Sequence, residues 1–390
     1  MDLETQQGDP IRILVIGCGN MGAAHGRAYR SIPGVEIAGL VSRGPSKHRL
    51  AGSLALNVPL FEDVDVALAR TSPDAVCIAT YPDTHEQFSL AAIAAGCDLF
   101  VEKPLAPSTE AARRIISAAQ KAGRQLVVGH ILRHHPTWQK FIAIAQTLGR
   151  PLAMRMNLNQ QSSGDAWRVH RSLLESASPI VDCGVHYVDV MCQMVSSKPL
   201  RVSAIGACLA PGLPSGRCNY GQLQIAFEDG SVGWYESGWG PMMSETAYFV
   251  KDVIGPLGAV SIQSIHPEGK GASADVESHV RSNAIRIHRA ELDASGKFVH
   301  ADEWLELPDE PDHDALCLRQ QEFFVRAIRK RLDLSSHISG TFASLAIVLA
   351  AEEAMLTGRP VDLSGVSGLS GLPGLSGVDL YLPAYPAQPA

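Results

Sequence analysis

Residues 11–22 read IRILVIGCGNMG, and this stretch decides the fold. From Arg12 to Ile16 the chain is a nearly continuous apolar run, which is typical of a strand buried in a parallel sheet. A glycine turn follows, and then a helical pattern runs from Met21 to Ser31. A GxGxxG turn that ends a strand and opens a helix indicates dinucleotide binding, whereas an ordinary turn is the less favoured interpretation.

Each residue of this turn has a distinct expected role. Gly17 allows the tight turn, Gly19 lets the backbone approach a pyrophosphate, and Gly22 allows the helix to pack closely on the strand. The first helical amides, around Asn20 and Met21, would hold the pyrophosphate without a basic side chain. These five residues are therefore predicted to bind the cofactor.

The alternation of strand and helix continues to about residue 134. Further strands are expected at Val35–Val41, Val58–Leu60, Ala75–Ala79, Asp98–Val101 and Gln125–Val128, with a helix at Thr109–Ala122. Repeated right-handed βαβ units predict an α/β domain with a doubly wound parallel sheet, a Rossmann dinucleotide-binding domain over residues 11–134.

The remaining chain has a different pattern. Between residues 135 and 363, strand-like alternations follow one another, and Asp229-Gly230 is a good hairpin signal. This region is predicted to be an α+β domain with a large, mostly antiparallel sheet, ending in helices at Asp314–Arg331 and Ser339–Thr357. Residues 1–10 and the Gly/Ser/Pro-rich residues 364–390 are expected to be flexible ends.

Composition excludes several classes of protein. The 390 residues include 40 acidic and 33 basic ones, a net charge of −7, which disfavours nucleic acid as a partner. Hydrophobic residues make up 46%, so the chain is not disordered. The longest candidate for a membrane span, Leu345–Ala351, is short, and Met1–Pro10 does not have the pattern of a secretory signal. Eight scattered cysteines and the absence of a CxxC or HExxH motif predict a cytoplasmic protein without a metal site.

The end of the second strand indicates which dinucleotide binds. NAD-selective domains usually have an acidic residue about 20 positions after the glycine motif. Here Ser42 and Arg43 occupy that region, and Lys47 follows. A hydroxyl and a guanidinium suit a 2′-phosphate, so the sequence favours NADP over NAD. The alternative is that Arg43 and Lys47 form a solvated basic loop and that NAD binds.

Two further motifs carry chemistry. Glu102-Lys103-Pro104 follows a predicted strand, and the carboxyl edge of a parallel sheet is where ligands bind. Lys103 could donate to an alcohol or carbonyl oxygen there, although a surface lysine is the more common case. Asp182 and His186 are four residues apart, which places them on one face of a helix; a buried structural pair is the alternative.

Taken together, these motifs resemble the glucose-fructose oxidoreductase, inositol dehydrogenase and rhizopine-catabolism family, Gfo/Idh/MocA. The similarity runs from Ile11 to about Leu363. The EKP signature of the family matches residues 102–104, and its DxGxH signature matches residues 182–186. Its IATPxxxH stretch is similar to residues 78–85, with one residue inserted before Pro82.

The resemblance implies hydride transfer between a nicotinamide and a carbinol carbon of a sugar, polyol or cyclitol by a homodimer or homotetramer. It implies that Lys103 polarises the reacting oxygen, that His186 is the general acid/base, and that Asp182 orients His186 or the substrate. Further positions implied to contact cofactor are Thr80, Pro82, His85, Glu102, Lys103, Trp167 and Arg168. Those implied to contact substrate are Lys103, His130, Arg133, Asp182 and His186; Gln161 and Tyr187 are equally compatible with a core or surface role.

Two features depart from the family pattern. Residues 175–179 replace a glycine-rich run before Asp182, and Ser42-Arg43 replaces the acidic residue of NAD-specific members. Two alternative functions stay open. One is a redox-neutral glycosidase or lyase that holds NAD tightly, and the other is a non-catalytic nucleotide-binding regulator.

Overall fold

The computed structural model describes residues 9–214, 216–244, 250–263, 273, 282, 284–307 and 310–364. The strands are β1 Ile11–Ile16, β2 Val35–Val41, β3 Leu60–Phe61, β4 Ala75–Ile78, β5 Asp98–Val101, β6 Leu126–Val128, β7 Ala153–Gln161, β8 Pro199–Ala207, β9 Tyr220–Phe227, β10 Val232–Gly240, β11 Lys251–Gly255, β12 Gly258–Gln263, β13 Ala284–Arg289, β14 Glu303–Glu306 and β15 Val361–Asp362.

The α-helices are α1 Asn20–Ser31, α2 Ser46–Ser53, α3 Val64–Thr71, α4 His85–Ala94, α5 Thr109–Lys121, α6 Pro136–Ala145, α7 Gly164–Leu173, α8 Pro179–Asp182, α9 Gly184–Val195, α10 His313–Lys330 and α11 Ser335–Thr357. Short 3-10 helices cover Pro82–Thr84 and Ile131–His134. The chain forms two compact units, one comprising residues 9–106, 110–129 and 314–334, and the other comprising residues 107–109, 130–313 and 335–364.

The first unit contains a six-stranded parallel sheet in the order β3-β2-β1-β4-β5-β6. This order confirms the predicted doubly wound fold. The strand order reverses between β1 and β4, and ligands bind at such a switch point beyond the carboxyl ends of the strands. The glycine turn follows β1, and Thr80 follows β4, so both lie at that edge. Sequence patterns missed α2 and α3, because eight residues span barely two helical turns.

The second unit contains a nine-stranded sheet in the order β14-β13-β12-β11-β7-β10-β9-β8-β15. Strands β7 and β10 are parallel, and the other neighbouring pairs are antiparallel, which confirms the predicted large, mostly antiparallel sheet. The predicted hairpin at Asp229-Gly230 joins β9 to β10, and Gly230 has a φ of 82°. Helices α8, α9 and α11 pack against this sheet.

Helix α10 is the main departure from the predicted domain boundaries. Residues 135–363 were expected to form one domain, but residues 314–334 belong to the first unit. Arg27 Nε donates to Asp314 Oδ2 at 2.8 Å, and Tyr29 Oη donates to Gln321 Oε1 at 2.6 Å. These partners are nearly 300 positions apart along the chain, so local patterns carry no trace of the pairing. The predicted tail, residues 364–390, lies outside the described residues from 365 onward, as do residues 1–8 of the predicted N-terminal segment.

Helix α11 is longer than the apolar run that was recognised in the sequence. It has 23 residues, and an 18-residue window has a mean hydropathy of 1.4, so by length and composition it could cross a membrane. However, 78% of that window is buried inside the fold, and the core helix of a water-soluble protein has the same composition. Its small residues, such as Gly340 and Ala343, are buried, consistent with a helix packed on all sides.

Candidate active site

The glycine turn has the geometry of a dinucleotide cradle. Gly17 has a φ of 94°, and a methyl group built on it would lie 2.4 Å from the Ala79 carbonyl oxygen. A methyl group on Gly22 would lie 1.8 Å from the Gly17 carbonyl oxygen. Both positions therefore require glycine for internal packing. A methyl group on Gly19 would meet nothing within 4 Å, so this glycine faces open space where a ligand can approach the backbone.

The start of α1 complements this cradle. Gly19 is the N-cap residue and supplies no side-chain hydrogen bond, and the first turn carries no acidic residue. The amides of Asn20, Met21 and Gly22 at the positive end of the helix dipole are thus available to an anion. The open space at Gly19 and these uncapped amides fit the pyrophosphate of a nicotinamide dinucleotide.

We expect Gly19→Ala to weaken dinucleotide binding alone and Gly22→Ala to lower stability as well. The Gly19 methyl group meets no protein atom, so the thermal unfolding temperature should stay within about one degree of the wild-type value. Dinucleotide affinity should fall by at least about tenfold, or about 1.4 kcal/mol, because the methyl group occupies the place of the pyrophosphate. Gly22→Ala should lower the unfolding temperature and abolish binding. Fluorescence titration and thermal unfolding measure both effects, and wild-type affinity in Gly19→Ala would contradict the cradle.

The loop after β2 differs from the solvated basic loop that was one interpretation of the sequence. Lys47 is buried, and its Nζ donates to the Ser42 carbonyl at 2.8 Å and to Glu62 Oε1 at 3.0 Å. Lys47 therefore holds this loop in place through hydrogen bonds within the protein. Arg43 is exposed, and the Ser42 and Ser46 hydroxyls lie 2.7 Å apart. Ser42 and Arg43 are the residues of this loop whose contact with the cofactor ribose stays a prediction.

His85 and Glu102, which are both predicted to contact the cofactor, have hydrogen-bond partners within the protein. His85 is buried, with Nδ1 at 3.0 Å from the Pro104 carbonyl oxygen and Nε2 at 3.1 Å from the Thr80 carbonyl oxygen. Burial lowers the pKa of His85. Both ring nitrogens of His85 thus face backbone carbonyls, and its contact with the cofactor stays a prediction. Thr80 and Pro82 follow β4, and Thr80 Oγ1 contacts Thr84 Oγ1 at 2.7 Å; their contact with the cofactor stays a prediction.

Glu102, the second of these predicted cofactor contacts, is hydrogen-bonded to other residues of the first unit. Its Oε1 lies 2.6 Å from His25 Nε2, and its Oε2 accepts the Lys103 amide at 3.1 Å. The carboxylate is buried and has a protein partner on each oxygen, and its contact with the cofactor stays a prediction. Lys103, in contrast, is half-buried, and every other residue from Cys97 to Ala106 is buried. Lys103 is thus the side chain that this segment presents at the edge of the sheet.

Asp182 and His186, in the second unit, are likewise more exposed than the residues around them. They are half-buried, and every other residue from Ala177 to Val195 is buried. The expected single helix is two helices, because α8 ends at Asp182 and α9 begins at Gly184. A methyl group on Gly184 would lie 3.0 Å from Tyr235 Cε1, so the junction packs tightly on β10. The predicted catalytic residues therefore lie in different units, Lys103 in the first and Asp182 and His186 in the second.

His130 and Arg133 belong to a buried cluster around Asp189. The ring of His130 meets the ring of His186 edge-on at 5.9 Å between centroids, so the structure brings these two predicted residues together. Arg133 Nε donates to Asp189 Oδ2 at 2.9 Å and Arg133 Nη2 to Asp189 Oδ1 at 2.5 Å. Arg133 Nη1 lies 2.9 Å from His337 Nδ1. Arg133 is 2% exposed and its guanidinium is hydrogen-bonded within this cluster, and its contact with substrate stays a prediction.

The charges of this cluster are internally balanced. Burial raises the pKa of Asp189, but the charge of Arg133 and hydrogen bonds from Arg133 and Gln193 outweigh it and leave the pKa lowered. Burial lowers the pKa of His337 well below its ordinary value, and the neighbouring charge of Arg133 lowers it further. At neutral pH the cluster is an Arg133–Asp189 ion pair beside a neutral His337.

The remaining residues that were considered from the sequence differ in exposure and in their contacts. Trp167 is half-buried on α7, next to an exposed Arg168 that pairs with Asp165. Gln161 is exposed, and its Nε2 donates to the Met243 carbonyl at 2.7 Å. Tyr187 is buried and stacks on Tyr235 at 5.1 Å, which is a core role.

Sequence patterns did not single out four polar residues that belong to the hydrogen-bond networks of Glu102 and Arg133: His25, Asp189, Gln321 and His337. Only His25 had a local signal, because it lies three residues after Gly22 on the helix that the glycine motif opens. The others are recognisable only through partners that are distant in sequence. Among the described residues, no group of three or more His, Cys, Asp or Glu is arranged to hold a metal ion.

Comparison with known proteins agrees with this architecture. Residues 11–130 match the profile of the oxidoreductase family with an NAD-binding Rossmann fold, and residues 140–250 match the GFO/IDH/MocA C-terminal domain. Inositol 2-dehydrogenase from Paracoccus denitrificans is 32% identical over 186 residues, which cover 46% of this chain and 53% of that protein. The chain thus spans about half the length of the curated relatives it matches.

Solved structures show the same fold over most of the chain. Scyllo-inositol dehydrogenase from Lactobacillus casei, with bound NAD(H) and scyllo-inositol, superposes with a TM-score of 0.70 at 18% identity, covering 92% of this chain and 100% of that one. A putative NADPH-dependent oxidoreductase from Desulfitobacterium hafniense gives 0.72 at 19% identity, covering 92% and 99%. The matches to both domain profiles, which together cover more than half of the residues, show that the chain belongs to the Gfo/Idh/MocA oxidoreductase family.

Proposed function

We propose that this protein is an NAD(P)-dependent dehydrogenase that interconverts a carbinol and a carbonyl on a cyclitol, polyol or sugar. The observation that carries the proposal is the pattern of exposure. Lys103, Asp182 and His186 are the partly exposed side chains of otherwise buried segments, and all three have acid/base or hydrogen-bonding chemistry. The relatives named inositol 2-dehydrogenase support a cyclitol as the substrate class.

Each of the three residues has a distinct role in this proposal. The Lys103 ammonium donates a hydrogen bond to the reacting oxygen and favours negative charge as it develops there. His186 takes the proton of the hydroxyl group during oxidation and returns it during reduction, and Asp182 orients His186 or the substrate. When bound, the nicotinamide dinucleotide supplies a hydride acceptor or donor at C4. Oxidation thus converts a CH–OH group to C=O and releases one proton while the cofactor gains a hydride.

The protein should be assayed with NADP⁺ and with NAD⁺ against myo-inositol, scyllo-inositol and a panel of sugars, following formation of reduced nicotinamide. Turnover with at least one polyol supports the proposal. Cofactor that is retained through purification without net reduction would point instead to redox-neutral chemistry. Cofactor binding without turnover on any substrate would favour a nucleotide-binding regulator.

We propose NADP as the preferred cofactor, because Ser42 and Arg43 follow β2, where NAD-selective domains usually carry an acidic residue, and because Lys47 holds their loop in place. Arg43→Ala should weaken NADPH binding by at least about tenfold and change NADH binding less than twofold, since only NADPH carries the phosphate that Arg43 would pair with. Paired fluorescence titrations of both proteins measure this difference. If wild-type protein binds NADH more tightly, Arg43 is solvated surface and the preference is NAD. Arg49→Ala, at a neighbouring exposed arginine, is the matched control.

A further inference from the structure

A buried chain of hydrogen bonds in the first unit ends at the segment that carries Lys103. His25 lies on α1 with no exposed surface, and its Nε2 lies 2.6 Å from Glu102 Oε1. Its other ring nitrogen, Nδ1, lies 2.9 Å from Gln321 Nε2 on α10. Gln321 Oε1 accepts the hydroxyl of Tyr29 at 2.6 Å. The His25 imidazole therefore connects Gln321 on α10 to Glu102 by hydrogen bonds, and it belongs to α1 itself.

The partners determine the tautomer of His25. The Gln321 amide nitrogen can only donate, and the amide is oriented by the Tyr29 hydroxyl at its oxygen. Nδ1 of His25 is therefore an acceptor, which places the ring proton on Nε2. From there it is donated to the Glu102 carboxylate. The reverse tautomer would place the Nε2 lone pair against the Glu102 carboxylate and leave two donors, Nδ1–H and the Gln321 amide, facing each other.

Glu102 is held on three sides. Besides accepting from His25, it accepts the Lys103 backbone amide through Oε2 at 3.1 Å. The carboxylate also packs on Gly129, where a methyl group would lie 3.0 Å from each oxygen. The next peptide along is held too, because the Pro104 carbonyl lies 3.0 Å from His85 Nδ1. The backbone on either side of Lys103 is thus anchored, and its side chain is the part that is half-exposed.

Glu102 stays ionised in this setting. Burial raises its pKa, but the hydrogen bond from His25 and the charge and backbone amide of Lys103 outweigh burial and leave the pKa lowered. Other titratable groups within electrostatic range of Glu102 are Tyr29, Cys77, His85 and Cys317. Burial raises the pKa values of the tyrosine and both thiols and lowers that of His85, so none of these four groups is expected to be charged at neutral pH.

We propose that His25 is a positioning residue for Lys103: it acts through the Glu102 carboxylate, and Gln321 and Tyr29 hold its tautomer. The network links the helix that follows the dinucleotide cradle to the lysine that polarises the reacting oxygen. The proposal rests on the proposed dehydrogenase function for its kinetic consequence. The hydrogen-bond chain itself is independent of any activity.

The kinetic test uses His25→Leu, which removes both ring nitrogens, and His25→Gln, which retains a side-chain donor that can reach Glu102. His25→Leu should lower kcat by about ten- to a hundredfold while dinucleotide Kd changes less than twofold, because misplacement of a reacting group by about 1 Å costs that much. His25→Gln should recover most of the lost kcat. Because His25 acts through Glu102, the double variant His25→Leu/Glu102→Gln should be no slower than Glu102→Gln alone.

Thr71→Val is the matched control, because it removes a buried hydroxyl from the same unit whose hydrogen bond to the Ala67 carbonyl is local to α3. It should leave kcat unchanged. Wild-type kcat in folded His25→Leu, or losses that multiply in the double variant, would overturn the proposal. If His25→Leu does not fold, Gln321→Met tests the same chain from α10, with an expected loss of kcat of several-fold and an unchanged Kd. Wild-type kcat in that variant would equally overturn it.

A second measurement needs no activity. Nitrogen-15 NMR of histidine-labelled protein, with the His25 signals assigned by difference from His25→Gln, should show the Nε2–H tautomer. Glu102→Gln should shift the Nε2 resonance, whereas Thr71→Val should not. An Nδ1–H tautomer at His25 would overturn the proposal even if the protein proves to be an active dehydrogenase. Absence of turnover in wild-type protein, with the expected NMR result, would instead reject the proposed function and retain the network.

Discussion

Replacing Lys103 with Met should lower kcat by about a thousandfold or more and leave dinucleotide Kd within twofold of the wild-type value. Methionine retains the unbranched apolar length of lysine but has neither the positive charge nor the hydrogen-bond donor. Removal of one preorganised donor to a developing oxyanion typically costs a hundred- to a thousandfold, and loss of its charge adds to this. Lys103 is also the single half-exposed residue between Cys97 and Ala106, so the change should not disturb the core.

Lys47→Met is the matched control for this experiment, because it changes another lysine of the same unit in the same way. Lys47 braces the loop of Ser42 through its carbonyl and pairs with Glu62. Its loss should therefore weaken dinucleotide binding and leave kcat at saturating cofactor nearly unchanged. The two variants thus have opposite kinetic signatures. Unchanged turnover in Lys103→Met would remove Lys103 from the proposed catalytic group.

Lys251→Met should make the protein more stable at neutral pH and remove a dependence of stability on pH. Lys251 is 2% exposed, donates to the Asn157 carbonyl, and lies 4.5 Å above the ring of Tyr187. Burial lowers the pKa of Lys251 from 10.5 to about 7. A difference of that size corresponds to roughly 4 to 5 kcal/mol, at about 1.4 kcal/mol for each tenfold change in proton affinity. This is the approximate cost of keeping the charged ammonium in the folded interior.

The direction of this pH dependence follows from the numbers of protons that the folded and unfolded states bind. Below pH 7 the lysine is protonated in both the folded and the unfolded state, and the folded state bears the whole cost. Between about pH 7 and 10.5 the unfolded state holds one more proton, so the contribution of Lys251 to the free energy of unfolding rises with pH. The stability advantage of Lys251→Met over wild type should therefore be largest at pH 6.5 and should shrink by pH 9.5.

Urea unfolding of both proteins at these two pH values measures the difference directly. The comparison cancels the contributions of groups that the two proteins share. Lys297→Met is the control, because Lys297 is exposed and its substitution should give a difference that does not vary with pH. A stability difference between Lys251→Met and wild type that is the same at both pH values would contradict the lowered pKa of Lys251.

The sequence by itself determined the fold of the first unit and led to the prediction that Lys103, Asp182 and His186 form the catalytic group. Buried parallel strands are continuous apolar runs, and the glycine turn has packing requirements that only glycine meets, so local patterns contain this information. The large antiparallel sheet was also predictable, because strands that alternate in side-chain direction and a hairpin signal such as Asp229-Gly230 are local features. Lys103, Asp182 and His186 were recognisable because they belong to short contiguous motifs.

Only the tertiary structure decided which partners the other polar residues of these motifs have inside the protein. Glu102, His85 and Arg133 belong to the same motifs or lie beside them, yet their polar atoms are taken by His25, by backbone carbonyls and by Asp189. The chain positions of these partners are far apart: 77 residues separate His25 from Glu102, and 296 separate it from Gln321. Local patterns record which face of an element is apolar, but they do not record which distant side chain satisfies a buried polar atom. That pairing is settled when the elements pack and every buried donor and acceptor must find its partner.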